Sequence, residues 1–257
     1  MTNFEINLDA YPESERPFIK KALGWVRAAF KDSFLTVFLN PREQLLLAGL
    51  AKQDALPIVF SGGYPQAENK RALIGAEDGK ADFQIAVLQL DYAVKYIHLH
   101  HSTILGSLLH QGIAYDRIGD VIHEADRWQI LIDAQLAEFV VENVKRAGSK
   151  KIAFHEVAAS EMLAPESDEK EKEVIVASQR IDLLISQIYN FSRAHAKDLI
   201  ESGQVMVNWF ENDNPSYLAK LGDVISTHSF GRIRLIETRG TTNRNKIKLT
   251  IGIVGKN

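Results

Sequence analysis

Residues 164–173 read APESDEKEKE, seven charged side chains in ten positions with a proline near the start. A stretch of this composition has almost nothing to bury, so one continuous hydrophobic core cannot run through it. The chain must therefore organise as separate cores on either side. Its 257 residues allow this, being more than the roughly 100–150 of a typical domain. With 46% hydrophobic and 25% charged residues the chain is globular in composition. We read residues 164–177 as a charged linker.

Upstream of it, residues 83–90 (FQIAVLQL) predict a strand, and residues 103–111 place Ile104, Leu105, Leu108 and Leu109 at helical spacing before Gly112. Two short strands are expected at 120–123 and 129–133. A helix is expected over 134–146 with Leu136, Phe139, Val140 and Val144 on one face, and a strand over 151–157. The order β-α-β-β-α-β is the split pattern of ferredoxin-like and RRM-like domains, which we assign to residues 76–163. Residues 1–75 predict a smaller, mainly helical domain. Its helices span 13–30 and 41–52, the second capped by Asn40 with Pro41 as its first residue. A strand at 57–60 and the loop 61–65 (SGGYP) follow.

Residues 178–257 repeat none of this. Ile181, Leu184, Ile185 and Ile188 mark one short helix; Ser192 caps a second, in which Ala196, Leu199 and Ile200 face inward, and Gly203 ends it. Strands are expected at 204–208, 223–227 and 232–237, so two helices pack on a small sheet. The fold class is α+β throughout. Charge separates this domain from the rest: eleven basic and seven acidic residues give it +4, and the remaining 19 basic and 26 acidic residues carry −7. Such asymmetry points to a polyanion-binding module joined to an acidic body. Arg193 and Lys197, at i and i+4, leave the same helix face, and Arg180 at the start of the first helix is placed to join them. Arg232 and Arg234 fall in a later strand. Arg239, Arg244, Lys246 and Lys248 lie in a tail that has no acid from residue 238 on, and Lys246 and Lys248 alternate with apolar residues like one basic face of a strand.

Six short signatures stand in order here: Arg180-Ile181-Asp182, Ser192-Arg193, Gly203, Val205-Met206-Val207-Asn208, Gly222-Asp223 and Gly231-Arg232. Together they resemble the RNA-binding domain first seen in the small-subunit ribosomal protein S-four. Ile181 replaces the commoner Leu, and the loop between Asn208 and Gly222 is longer than usual. Upstream, SGGYPQAENKRALIG and LHHSTILGSLLHQGIAYDRIGDV are similar to motifs of the YlmH family, single chains that end in an S-four domain. The family usually reads Thr-His-Arg-Asp before its Leu-Gly, where this chain has His101, Ser102, Thr103 and Ile104 before Leu105-Gly106, so a basic residue is missing there. The resemblance implies a non-catalytic binder of structured RNA (rRNA or tRNA) in ribosome-associated quality control, on a large ribosomal subunit and with a quality-control protein as a further partner. The resemblance and the placement of the cations, with the basic tail read from its composition, give as RNA-binding residues Arg180, Ser192, Arg193, Lys197, Asn208, Arg232, Arg234, Arg239, Arg244, Lys246 and Lys248. Ser192 is first a helix cap, and Asn208 has an equal claim to be a turn residue.

Other chemistries find less in the sequence. His98 and His100 would share a strand face, but no carboxylate stands at a ligand spacing, so no metal site is expected. The Ser61-Gly62-Gly63 loop lacks the Gly-Lys-Ser/Thr of a phosphate loop and reads as a turn. Phe83 and Trp128 are candidates for base stacking, yet no RNP-type run accompanies them. S-four domains also occur on pseudouridine synthases, RNA methyltransferases and tyrosyl-tRNA synthetases, so an RNA-modifying enzyme is the competing reading; no catalytic residue or cofactor is assigned. A second alternative is an adaptor whose acidic N-terminal body docks a protein. The absence of cysteine, of a secretory signal and of a membrane-length apolar run leads us to expect a cytoplasmic protein.

Overall fold

Asn40 and Pro41 show how the local sequence sets the first unit. Asn40 accepts from the Glu43 amide (3.0 Å) and Glu43 bonds back to the Asn40 amide (2.9 Å), closing a capping box at the start of a helix. The computed structural model describes residues 7–76, 82–164, 169–242 and 244–255. Its contacts divide into two units, Met1–Glu166 and Ser167–Asn257.

In the first unit, α1 (Arg16–Ala29), β1 (Phe34–Leu39), α2 (Pro41–Gln53), β2 (Ile58–Ser61) and β3 (Lys70–Ile74) come first. The three strands form an antiparallel sheet in the order β1-β3-β2, and α1 and α2 share its core through Ile19, Val26, Leu47 and Ile74. Beside its two helices the region therefore carries a three-stranded sheet, of which only the strand over 57–60 is expected from the sequence. β1 reads FLTVFL, a short apolar run that periodicity alone cannot assign.

The middle part runs β4 (Ile85–Asp91), α3 (His101–His110), β5 (Ile118–Glu124), β6 (Arg127–Asp133), α4 (Ala137–Asn143), β7 (Arg146–Ala147), β8 (Lys150–Lys151) and β9 (Ala153–Val157). The antiparallel order β5-β6-β4-β9 is the ferredoxin-like arrangement, with the first and third long strands central. The helix expected over 134–146 stops at Asn143, because the chain turns into the two-stranded β7–β8 hairpin. Asp120 on β5 ties the SGGYP segment down: it accepts from the Tyr64 hydroxyl (2.7 Å), the Glu68 amide (2.8 Å) and both nitrogens of Asn69. Burial and the Asp120 carboxylate push the Tyr64 hydroxyl pKa well up. Buried Arg71 on β3 meets buried Asp133 at 3.3 Å, and Arg117 meets the same carboxylate at 3.0 Å.

The second unit comprises β10 (Lys170–Val176), α5 (Ile181–Ile188), α6 (Arg193–Glu201), β11 (Val205–Val207), β12 (Phe210–Glu211), β13 (Val224–Thr227), β14 (Gly231–Thr241) and β15 (Ile247–Gly255). Its sheet has six strands in the order β10-β15-β14-β13-β11-β12. Ile181, Leu184, Ala196 and Leu199 of the helices pack on Val205, Ile225, Ile233 and Ile251 of one sheet face. Much of the stretch read as a linker is therefore strand β10, paired with β15 in continuous register from Lys170↔Ile253 to Val176↔Ile247. It is an edge strand with only Val174 and Val176 buried. Charged side chains elsewhere along such an edge deter further strand pairing, which is why its composition resembles a solvated linker.

Candidate nucleic-acid interface

The first turn of α5 and the start of α6 meet at one carboxylate. Arg180 donates through Nε and Nη2 to the two oxygens of Asp182 at 3.0 and 2.9 Å, a bidentate pair. Arg193 Nε donates to the same Oδ2 at 3.0 Å. Asp182 is completely buried, while half of the Arg193 side chain stays exposed. Burial alone would raise the Asp182 pKa; hydrogen bonds from Arg180 and Arg193, and their charge, outweigh it and hold the carboxyl below its usual range. Two cations on one anion leave net positive charge at the surface, in a fixed geometry. Lys197, one turn beyond Arg193 on α6, is exposed and makes no ion pair among the described residues.

Ser192 acts as the cap of α6: its hydroxyl accepts from the His195 amide at 3.1 Å. The His195 ring sits edge-on to Phe191 at 4.8 Å, beside the Phe191–Phe230 pair. Asn208 has φ +53° and spends its amide inside the protein, donating to Asp223 Oδ1 (2.8 Å) and accepting from the Val224 amide (2.9 Å). Its role in this structure is the turn. Asp223 also accepts from the Lys220 amide at 2.8 Å, which fastens the long loop back to the Gly222-Asp223 signature. At Gly203, φ is +72°, a left-handed conformation that favours glycine at the end of α6.

The remaining cations are not gathered with these. Ile233, Leu235, Leu249 and Ile251 face the helices, so by strand alternation Arg232, Arg234 and Lys248 lie on the opposite face of the sheet. Arg232 stands over the Trp209 ring at 5.8 Å. Arg234 forms a bidentate pair with Glu169 (2.9 and 2.6 Å), and Arg239 binds Glu173 (2.7 Å) and Glu237 (3.2 Å). Glu169 reaches Arg234 across Gly252, where a Cβ would lie 2.1 Å from its oxygen. Arg244 and Lys246 are exposed in the β14–β15 turn. The site thus falls into a helix-side group and a sheet-side group. Sequence reasoning quoted Asp182 within a signature but missed its part as organiser; the signal was its spacing of two from Arg180. Glu169 and Glu173 gave no signal, since partners so distant in sequence cannot be paired by spacing.

In the middle domain Trp128 is buried in the core, with the His123 ring tilted against it at 4.6 Å, so it is no stacking platform. Among the described residues no group of three or more His, Asp or Glu is placed to hold a metal, and no helix is long and apolar enough to cross a membrane.

Residues 11–79 match the family model "YlmH, N-terminal", residues 79–161 match "Putative RNA-binding domain in YlmH", and residues 179–225 match "S4 domain", the S-four module. "Ribosome-associated protein quality control protein P2" of Bacillus subtilis (strain 168) is 31% identical over 245 residues, 93% of this chain and 95% of that protein. The chain belongs to the YlmH family. A solved YlmH structure, "Cell division protein ylmH from Streptococcus pneumoniae", is similar with a TM-score of 0.51 and 28% identity, covering 60% of this chain and 96% of that one. In this YlmH chain the S-four match contains Arg180, Asp182, Arg193, Lys197 and Asn208 but ends at residue 225. Strands β10, β14 and β15, with Arg232, Arg234, Arg239 and Lys248, lie outside it.

Proposed function

We propose that this chain binds structured RNA, rRNA or tRNA, on the large ribosomal subunit in the cytoplasm, as a non-catalytic member of ribosome-associated quality control. The observation that carries the reading is the Arg180–Asp182–Arg193 arrangement with Lys197 one turn away. Guanidiniums held by a buried carboxylate are ordered before RNA arrives, so less side-chain entropy is lost on binding. Their remaining N–H groups suit phosphate oxygens, and structured RNA is recognised largely through backbone shape and 2′-hydroxyls. The Bacillus relative's name as a ribosome-associated quality control protein supports the setting.

The test is a titration of wild type and an Arg193→Ala, Lys197→Ala double variant against tRNA-bearing large subunits at several salt concentrations. Each lost phosphate contact is expected to lower the log–log salt slope by roughly 0.7–0.9. Unchanged affinity and slope in a folded variant would reject the α5–α6 patch. Mass spectrometry of the digested RNA after incubation is expected to show unaltered nucleosides; stoichiometric modification would restore the enzyme reading.

A further inference from the structure

The middle domain cannot use the surface by which RRM-like folds take up RNA. The sheet face opposite α3 and α4 is covered by the chain itself: Leu131 and Ile122 pack with Leu163, Met162 and Tyr64. Gln129, fully buried on that face, donates to the Glu161 carbonyl (3.0 Å) and accepts from the Leu163 amide (2.9 Å).

A different edge of the domain is built for an anion. The sequence has no acid from residue 92 to 115, and none from 143 to 155. The fold brings parts of these two segments together: Lys150 on β8 donates to the His98 carbonyl, and Gly148 lies beside Thr103. Val144, Ala147 and Ile152 are buried and pin the β7–β8 hairpin, leaving Lys145, Arg146 and Lys151 exposed between them. Arg146 and Lys151 are direct cross-strand partners, a like-charge pair that costs stability in the free protein. Lys145 and Arg146 donate only to the Val141 and Ser149 carbonyls, and no carboxylate pairs with Lys95, Lys145, Arg146, Lys150 or Lys151 among the described residues. In the adjoining loop Lys95 is exposed and Tyr96 is 86% exposed.

We propose that the β7–β8 hairpin and the loop of residues 92–100 form a second RNA-contacting surface, with cations on phosphates and Tyr96 on an unpaired base. An external polyanion relieves the Arg146–Lys151 repulsion, and an exposed aromatic among cations favours RNA, since bases stack on such rings. The proposal rests on the reading that the chain binds RNA, but not on the α5–α6 patch.

The experiment compares full-length wild type with a Lys95→Gln, Arg146→Gln, Lys151→Gln triple variant, titrated against the same tRNA-bearing large subunits. Affinity is expected to fall about tenfold and the slope to flatten by roughly two contacts, with the melting temperature unchanged or raised as the like-charge pair disappears. Unchanged affinity and slope in a variant that melts like wild type overturn the proposal. Ultraviolet crosslinking of the wild-type complex supplies a readout free of any folding defect: nucleotide adducts on peptides spanning 92–103 or 145–151 support the surface, and their absence overturns it. If poly-glutamate, matched in charge concentration, displaces wild type as well as total tRNA does, the surface fits an acidic protein and the proposal fails. A weakened triple variant beside an unaffected Arg193→Ala, Lys197→Ala variant rejects the α5–α6 patch alone; the converse rejects only this surface.

Discussion

The cations of the C-terminal unit and those of the β7–β8 hairpin differ in what surrounds them. Arg180, Arg193, Arg234 and Arg239 each rest on a carboxylate, whereas Arg146 faces Lys151 and Lys145 meets only a carbonyl. Paired arginines are ordered and partly neutralised; cations that meet only carbonyls keep their full charge. Counting residues from the boundary of the second unit makes the same point. The excess of +4 over 178–257 falls to +2 over 167–257, because β10 and the residues just before it bring four acids and two lysines. Charge read along a sequence therefore overstates what the folded surface offers to a phosphate.

Removing Asp182 breaks this contrast most severely. Asp182→Ala is expected to lower stability by about 1.5–3 kcal/mol, the range for hydrogen bonds to charged groups, and to weaken RNA binding by tenfold or more as both arginines lose their fixed positions. Thermal unfolding and subunit titration measure the two. A single Arg193→Ala change is milder, since Arg180 still satisfies both Asp182 oxygens. The slope is expected to fall by one contact, roughly 0.7–0.9, with little change in melting temperature.

Acid sharpens the comparison further. The folded Asp182 pKa lies below the unfolded value of about 3.9, so its contribution is complete above that value and drains away as pH falls through the folded pKa. The stability gap between wild type and Asp182→Asn is expected to be constant from pH 8 to 5 and to shrink below about pH 4. Denaturant melts across that range check it. The smallest effect is expected from Glu169→Gln with Glu173→Gln, which removes the carboxylate partner of Arg234 and leaves Arg239 with Glu237 alone. Exposed pairs contribute about 0–1 kcal/mol, so stability should barely move while the salt slope steepens; a shallower slope would show that the pairs themselves organise the sheet-side group.

Helices were legible wherever apolar spacing and caps coincide, as at Asn40 and Ser192, and the ferredoxin-like order followed from short apolar runs separated by turn residues and helices. β1 was hidden because five apolar residues interrupted only by Thr36 carry no period. β10 was hidden because an edge strand is selected for charge. Of the candidate site, the sequence found the cations, but not which of them face one another.

The chain by itself determined the two helices and signatures of the S-four module, the split β-α-β order and the family, because these depend on short-range periodicity, capping and motif spacing. Only the tertiary structure decided that Asp182 gathers Arg180 and Arg193, that Glu169 and Glu173 neutralise Arg234 and Arg239, and that the chain covers the open face of the middle sheet. Those outcomes depend on strand pairing and helix packing between residues far apart in the chain, 66 positions in the case of Glu173 and Arg239, and local sequence carries no record of which distant side chain will arrive.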